Sequence, residues 1–259
     1  MWRVIQYIKY LLRCFHLHGI HSPFVYELNE NIFREKTPFY AFDEIESVRA
    51  KLLLTEKKIE VLDLGAGSKK DKATHRKISD IASFAAKKKS TAQLLYRLAQ
   101  YFKVETVLEL GTSLGLSTAY LARASPKAKV ITIEGSREIA KVAGVNFEKL
   151  KITNIEQVIS DFDSTLHQQL ENLQKVDLVF FDGNHQKKPT LNYFNACIEY
   201  ITEESVFVFD DIYWSRDMKA AWQEIKNHPM VTVTIDCFEM GIVFFKKDQA
   251  KEHFTVYHS

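Results

Sequence analysis

Val107-Leu108-Glu109-Leu110-Gly111-Thr112-Ser113-Leu114-Gly115-Leu116-Ser117 is the stretch that decides how this chain is read. Val107 to Leu110 has the pattern of a buried strand, and the two glycines that follow interrupt it before a helical run begins. Strand, glycine-rich turn and helix in that order expose backbone without a Cβ and then a helix N-terminus. Both can receive the polar or charged end of a ligand. Glu134 follows roughly 20 residues later, at the end of the next predicted strand, where dinucleotide-binding folds place a carboxylate that accepts hydrogen bonds from ribose hydroxyls. That spacing alone fits nicotinamide cofactors as well, but the glycines are spaced GxxxG and lack the GxGxxG form.

Working outward, apolar runs rich in β-branched residues alternate with helical patterns, as in a parallel sheet covered by helices. The predicted strands are Val107 to Leu110, Val130 to Glu134, Ile155 to Ile159, Val176 to Phe181, Ser205 to Phe209, Val231 to Asp236 and Gly241 to Phe245. Helices are expected near 117–124, 137–150, 163–173, 189–202 and 215–227. Only Cys237 to Met240 separate the last two strands, too few for a crossover helix. An antiparallel hairpin at one edge of the sheet is therefore expected.

Five helix-linked strands followed by a hairpin resemble the chain order of the class I S-adenosylmethionine-dependent methyltransferases, whose Rossmann-like sheet has seven strands. The run ELGTSLGLST, from Glu109 to Thr118, resembles the first motif of their catechol-type, metal-dependent O-methyltransferases. The resemblance covers somewhat more than half the chain. It implies that Glu109, Gly111, Thr112, Ser113, Gly115 and Ser117, with Glu134 and Gly135, hold S-adenosylmethionine, Glu109 toward its methionine end. It also implies a polar residue near the adenine after the third strand, Ser160 or Asp161. A helix N-cap at Asp161 or Asp163 accounts for that acid equally well, and both readings stay open.

Ligands of open α/β sheets lie beyond the carboxyl ends of the strands. Strand four runs into Asp182-Gly183-Asn184-His185, and strand five into Asp210-Asp211-Ile212-Tyr213-Trp214. Asp182, Asp210 and Asp211 are expected to converge there, and their mutual repulsion calls for a cation, with magnesium or calcium suited to hard oxygen ligands. The resembled enzymes end strand four in aspartate and strand five in Asp-Asn. Asp211 departs from that pattern, keeping an oxygen ligand but adding charge. An alternative has one aspartate capping the following helix and another, such as Asp182, binding the amine of the cofactor indirectly. His185 occupies the loop where the resembled family places its general base, and an imidazole with an ordinary pKa near 6.5 can take a proton at neutral pH. Lys187 or Lys188 could serve instead. Tyr213, Trp214 and Met218 are candidates for the wall of an apolar acceptor pocket, or ordinary core.

Two features are decoys by this reasoning. Val61-Leu62-Asp63-Leu64-Gly65-Ala66-Gly67-Ser68 imitates the cofactor turn, but a lysine-rich helical stretch from about His75 to Lys88 follows it, with no second strand ending in an acid. His16, His18 and His21 do not share one helical face.

The remaining residues, 1–90, read as a mainly helical extension, a lid or dimer element, preceding a methyltransferase domain at 91–259. A net charge of +2 gives no global reason to expect nucleic acid. Cys14, Cys197 and Cys237 form no CxxC pair, and a reducing cytoplasm is the default compartment. The helix expected over Trp2 to Phe15 is basic and amphipathic, too short and too charged to span a bilayer. Such a helix packs on its own domain or on a dimer partner, or lies on a membrane surface. The expected function is transfer of a methyl group from S-adenosylmethionine to a small-molecule hydroxyl, assisted by Mg2+ or another divalent cation. Its rivals are a metal-independent N-methyltransferase of the same fold, a nicotinamide-dependent oxidoreductase, and a catalytically silent binding module.

Overall fold

The computed structural model describes residues 1–14, 21–61, 74–84 and 87–258. The chain begins with α1 (Trp2–Leu11), α2 (Pro23–Leu28), a π-helical turn (Asn29–Phe33) and α3 (Tyr40–Leu53). There follow β1 (Lys58–Val61), β2 (Thr74–Lys77), α4 (Ile78–Phe84) and α5 (Lys89–Tyr101). Strands and helices then alternate through β3 (Thr106–Leu110), α6 (Leu116–Ala124), β4 (Lys129–Glu134), α7 (Arg137–Lys149), β5 (Ile155–Ile159) and α8 (Phe162–Leu173). The alternation continues with β6 (Val176–Phe181), α9 (Lys187–Cys197), β7 (Ile201–Asp210) and α10 (Arg216–Asn227), and the chain closes with β8 (Val233–Asp236), β9 (Met240–Phe244) and β10 (Glu252–Thr255). The fold is α/β, with a mostly parallel central sheet of eight strands, as the alternating pattern requires. The chain divides into two compact units, Lys36–Gln169 and a second built from Met1–Glu35 with Leu170–Ser259.

In the unit Lys36–Gln169, β3, β4 and β5 run parallel, with Leu110 beside Ile133 and Glu134 beside Ile159. Val107, Leu108, Val130 and Ile131 have no exposed surface, which explains why these strands read as continuous apolar runs rather than alternating ones. Helix α5 packs on α6, and α3 on α4 and α6. The Phe42 ring lies 4.9 Å from Tyr96 and 5.4 Å from Tyr120, and the Tyr120 hydroxyl donates to Glu46 at 2.9 Å. A hydrophobic seam, closed by this hydrogen bond and by an Arg123–Glu44 ion pair at 2.9 Å, thus fixes α3 to α6. The stretch expected to be helical from about His75 opens instead with β2, which pairs antiparallel with β1 from Lys58↔Lys77 to Val61↔Thr74. Cross-strand pairing satisfies the backbone of these mostly polar residues before α4 begins at Ile78. The decoy turn at Gly65 to Gly67, with His16 and His18, lies outside the described residues.

In the other unit β6 and β7 are parallel, β7 and β9 antiparallel, and β8 and β9 form the expected antiparallel hairpin. The hairpin does not end the sheet. β10 pairs parallel to β8, giving the order β10-β8-β9-β7-β6 within this unit. The sequence reading missed this strand because its four residues carry a single buried apolar side chain, Phe254. Eight strands therefore replace the seven expected. Stacked Phe181 and Phe209 rings, 4.3 Å apart, and the fully buried Trp222 fill the space between strands and helices. Helix α1 rests on this unit. Its Tyr10 hydroxyl donates to the Val256 carbonyl at 2.8 Å, and its Gln6 accepts from Lys219 at 2.7 Å. Among the described residues no helix is long and apolar enough to cross a membrane.

Gly241 of β9 is set against the face of Trp222. A Cβ there would lie 2.6–2.8 Å from ring carbons. Gly241→Ala is expected to cost about 1–3 kcal/mol of stability through overpacking, read from the urea-unfolding midpoint. An unchanged midpoint would mean that the indole moves aside freely.

Candidate functional site

The residues singled out by the sequence fall into two groups, one in each unit. In the unit Lys36–Gln169, the turn after β3 holds three residues at positive φ, Gly111 at 109°, Ser113 at 47° and Gly115 at 79°. Gly111 and Gly115 supply backbone geometry that L side chains seldom adopt. Gly115 has a second reason to lack a Cβ, because one would lie 2.5 Å from the Phe147 ring of α7. Close packing of α7 on the turn, together with the φ of 79°, therefore explains that glycine.

The turn is pinned to β4. Gly111 N–H donates to the Ile133 carbonyl at 3.0 Å, and Ser113 N–H donates to Glu134 Oε2 at 2.9 Å. Glu134 Oε1 accepts from Ser136 N–H at 2.9 Å. A carboxylate offers about four lone-pair sites, so Glu134 retains acceptor capacity for ribose hydroxyls. Burial raises its pKa, and the backbone N–H donors oppose the rise.

Beneath the turn lies Glu109, with 0% exposure. Its Oε2 accepts from the Thr132 hydroxyl at 2.7 Å and from the Thr118 hydroxyl, and Thr112 and Thr132 share a hydroxyl contact of 2.6 Å. Burial pushes the Glu109 pKa up to about 7, against the pull of the Ser117, Thr118 and Thr132 hydroxyls. Glu109 Oε1, Ser113 Oγ and Ser136 Oγ are buried without hydrogen-bond partners. Among the described residues these three buried oxygens stand unpaired around one turn, where buried polar groups are ordinarily paired. The sequence reading missed Thr118, Thr132 and Ser136. Thr118, on the first turn of α6, and Thr132, on β4, reach Glu109 only once helix and strand have packed.

Asp161 sits at the start of α8, where its Oδ1 accepts from Ser164 N–H at 2.9 Å. The Ser164 hydroxyl donates to both carboxylate oxygens at 2.7 Å, and these bonds lower the Asp161 pKa. This is the geometry of the capping alternative.

In the other unit, Asp182 follows β6 and Asp210 ends β7, with Asp210 only 3% exposed. One ligand atom from each of Asp182, His185 and Asp210 lies within 4.8 Å of the others, and His185 Nε2 is 3.8 Å from Asp182 Oδ1. Such spacing suits atoms arranged around one divalent ion at roughly 2.0–2.6 Å each. Asp211, expected in the same set, stands outside this group. Its carboxylate is 3.6 Å from the Arg3 guanidinium of α1, and its φ is 52°.

Of the alternative bases, Lys187 is engaged by Glu224, while no ion pair involving Lys188 is among those found in the described residues. Of the possible pocket walls, Tyr213 is committed to Asp236 by a 2.7 Å hydrogen bond and Met218 is 3% exposed, whereas Trp214 is 56% exposed under Arg3.

A folded-state pKa raised above the unfolded value makes Glu109 a pH-dependent stability element. Its contribution is fully present below about pH 4.5 and is lost as pH rises through about 7. The span amounts to about 3 kcal/mol. Glu109→Gln should flatten the fall in thermal midpoint between pH 5 and 8 relative to the parent chain. Parallel pH profiles for the two proteins would contradict the assignment.

Residues 108–212 match a family model described as a methyltransferase domain. Catechol O-methyltransferase of Niastella koreensis is 31% identical over 123 residues, covering 46% of this chain and 55% of that protein. Catechol O-methyltransferase of Mycobacterium tuberculosis is 32% identical over 122 residues, covering 46% and 54%. The chain spans about half the length of these curated relatives. An O-methyltransferase from Bacillus cereus, solved in complex with SAH, aligns over 85% of this chain and 96% of its own at 20% identity, with a TM-score of 0.53. The chain resembles the class I S-adenosylmethionine-dependent O-methyltransferases in sequence and has their fold.

Proposed function

We propose that this chain transfers the methyl group of S-adenosylmethionine to a hydroxyl oxygen of a small-molecule acceptor, with a divalent cation assisting. The observation that carries the cofactor assignment is the buried carboxylate of Glu109 beneath a turn that leaves three oxygens unpartnered. Adenosylmethionine brings a sulfonium and an ammonium group to such a place, and a cation repays the burial of a carboxylate. A nicotinamide dinucleotide would bring an anionic pyrophosphate toward the same buried acid, which disfavours the oxidoreductase reading. In the proposed arrangement Glu134 takes the ribose hydroxyls, and the turn from Gly111 to Gly115 with Ser117 lies against the amino-acid portion. Gly135 passes beside the nucleoside.

Asp182 and Asp210 fit a divalent cation by chemistry and spacing, being hard carboxylates within 4.8 Å of each other's ligand atoms. A cation held there would lower the pKa of an acceptor hydroxyl. His185 Nε2 takes the proton that leaves this hydroxyl, and Asp182 beside it stabilises the resulting imidazolium. Asp211 joins the metal set only if Arg3 releases it. β6 and β7 are buried up to Asp182 and Asp210, so the contribution of these strand ends is to hold the acceptor hydroxyl in a fixed position.

Isothermal titration of the full chain with adenosylmethionine, with and without magnesium, tests the cofactor and metal assignments separately. Because a bound cation favours ionised Glu109, affinity should rise as pH increases from 6 to 8, by up to about tenfold per unit below the titration. Gly111→Val should abolish binding, since its φ of 109° excludes a branched side chain. Asp182→Asn should preserve cofactor binding and reduce methyl transfer to phenolic acceptors by at least roughly 100-fold. Full activity in Asp182→Asn, or turnover untouched by excess chelator, would remove the metal from this reading and favour a metal-independent transfer.

A further inference from the structure

Helix α1 turns its apolar side away from the protein. It packs through Gln6 and Tyr10, which are 7% and 3% exposed, while Val4, Ile5, Ile8, Leu11 and Leu12 are 61%, 44%, 52%, 43% and 82% exposed. At the helical period these five side chains form one stripe roughly 120° wide, on the side opposite Gln6 and Tyr10. An exposed apolar face of this kind marks an interaction surface.

The charges carried by the helix and the residues after it have one sign. Residues 1–26 contain Arg3, Lys9 and Arg13 and no aspartate or glutamate. Lys9 and Arg13 are exposed on one flank of the stripe, whereas Arg3 is turned to Asp211. The field continues onto α10. Burial, followed by the neighbouring Lys9 and Arg13 charges, lowers the Lys219 pKa, and Arg13 acts likewise on Lys226. The acid facing these cations, Asp236, is itself 7% exposed and hydrogen-bonded to Tyr213.

We propose that α1 docks on an anionic phospholipid bilayer, its apolar stripe entering the boundary between headgroups and acyl chains while Lys9 and Arg13 meet lipid phosphates. An apolar face flanked by exposed lysine and arginine is the pattern of an interfacial helix. A second copy of the chain fits this face less well. Two-fold pairing through this face would bring together two helices that carry Lys9 and Arg13 and no acid to answer them. The docking itself stands apart from the methyl-transfer reading, and only its consequence for an acceptor rests on that reading. Through Arg3 and Asp211 it would hold the carboxyl end of β7 near the headgroups, so that an acceptor partitioned at the lipid surface is met there.

Co-sedimentation of the full chain with phosphatidylcholine vesicles and with mixed phosphatidylcholine–phosphatidylglycerol vesicles provides the test. Binding is expected to the mixed vesicles and to weaken in high salt. Lys9→Gln combined with Arg13→Gln should lower partitioning roughly 30-fold, at about fivefold per charge near an anionic surface. Ile8→Glu should abolish it, and Ile8→Ser should weaken it. Both Ile8 variants should keep the parent's thermal midpoint, because the side chain is solvent-facing. Failure to bind the mixed vesicles, binding equal on both compositions and indifferent to salt, or a dimer in sedimentation equilibrium that Ile8→Glu dissolves would each overturn the proposal.

Discussion

A carboxylate removed from water must be answered by partners, and Glu109, with no exposed surface at the end of β3, is the place where this chain meets that demand. Thr118 comes from the helix after the turn and Thr132 from the adjacent strand, so the carboxylate holds α6 and β4 to β3 by the same two bonds. Glu134 extends the arrangement by accepting from Ser113 on the turn itself. One oxygen of Glu109 is nevertheless left unanswered. The turn is therefore held in shape while its charge is incompletely compensated, a state that costs folding stability and favours a cationic guest.

The other unit applies a different constraint to its carboxylates. β6 and β7 are buried along the stretches that lead to Asp182 and Asp210, so the strand ends are fixed before the loops begin. The loops then adopt unusual backbone, with φ of 52° at both Asn184 and Asp211. Asparagine and aspartate enter this region more readily than other side chains. The position after Asp210 thus has a backbone reason to be Asn or Asp, apart from any role as an oxygen ligand. With the Asp211 side chain directed at Arg3, the conformational role is the one this structure displays, and it ties the first helix to the strand end.

Much of this was legible beforehand. The strands from β3 to β9 and the helices between them follow from residue periodicity, because buried parallel strands are continuous apolar runs and their covering helices are amphipathic. The glycine turn and Glu134 were legible from spacing along the chain, and Glu109 from the resemblance of the run Glu109 to Thr118 to a known motif. β10 was not, since four residues with one buried side chain carry almost no pattern, and the β1–β2 pairing was hidden because β2 has no buried side chain at all. Asp161 could be read two ways because an acid before a helix looks the same whether it caps the helix or faces a ligand.

The sequence by itself determined the class of fold, the order of its elements and the residue types gathered at the strand ends, because these depend on local periodicity and on the stereochemistry of glycine. Tertiary structure alone decided which partners those residues take. It grouped His185 with Asp182 and Asp210 while Asp211 turned to Arg3, surrounded Glu109 with threonines distant in sequence, and left the apolar side of α1 facing outward. The reason is that hydrogen bonds and ion pairs act over a few ångströms between groups whose separation in sequence is arbitrary, so only the packed chain fixes which of them meet.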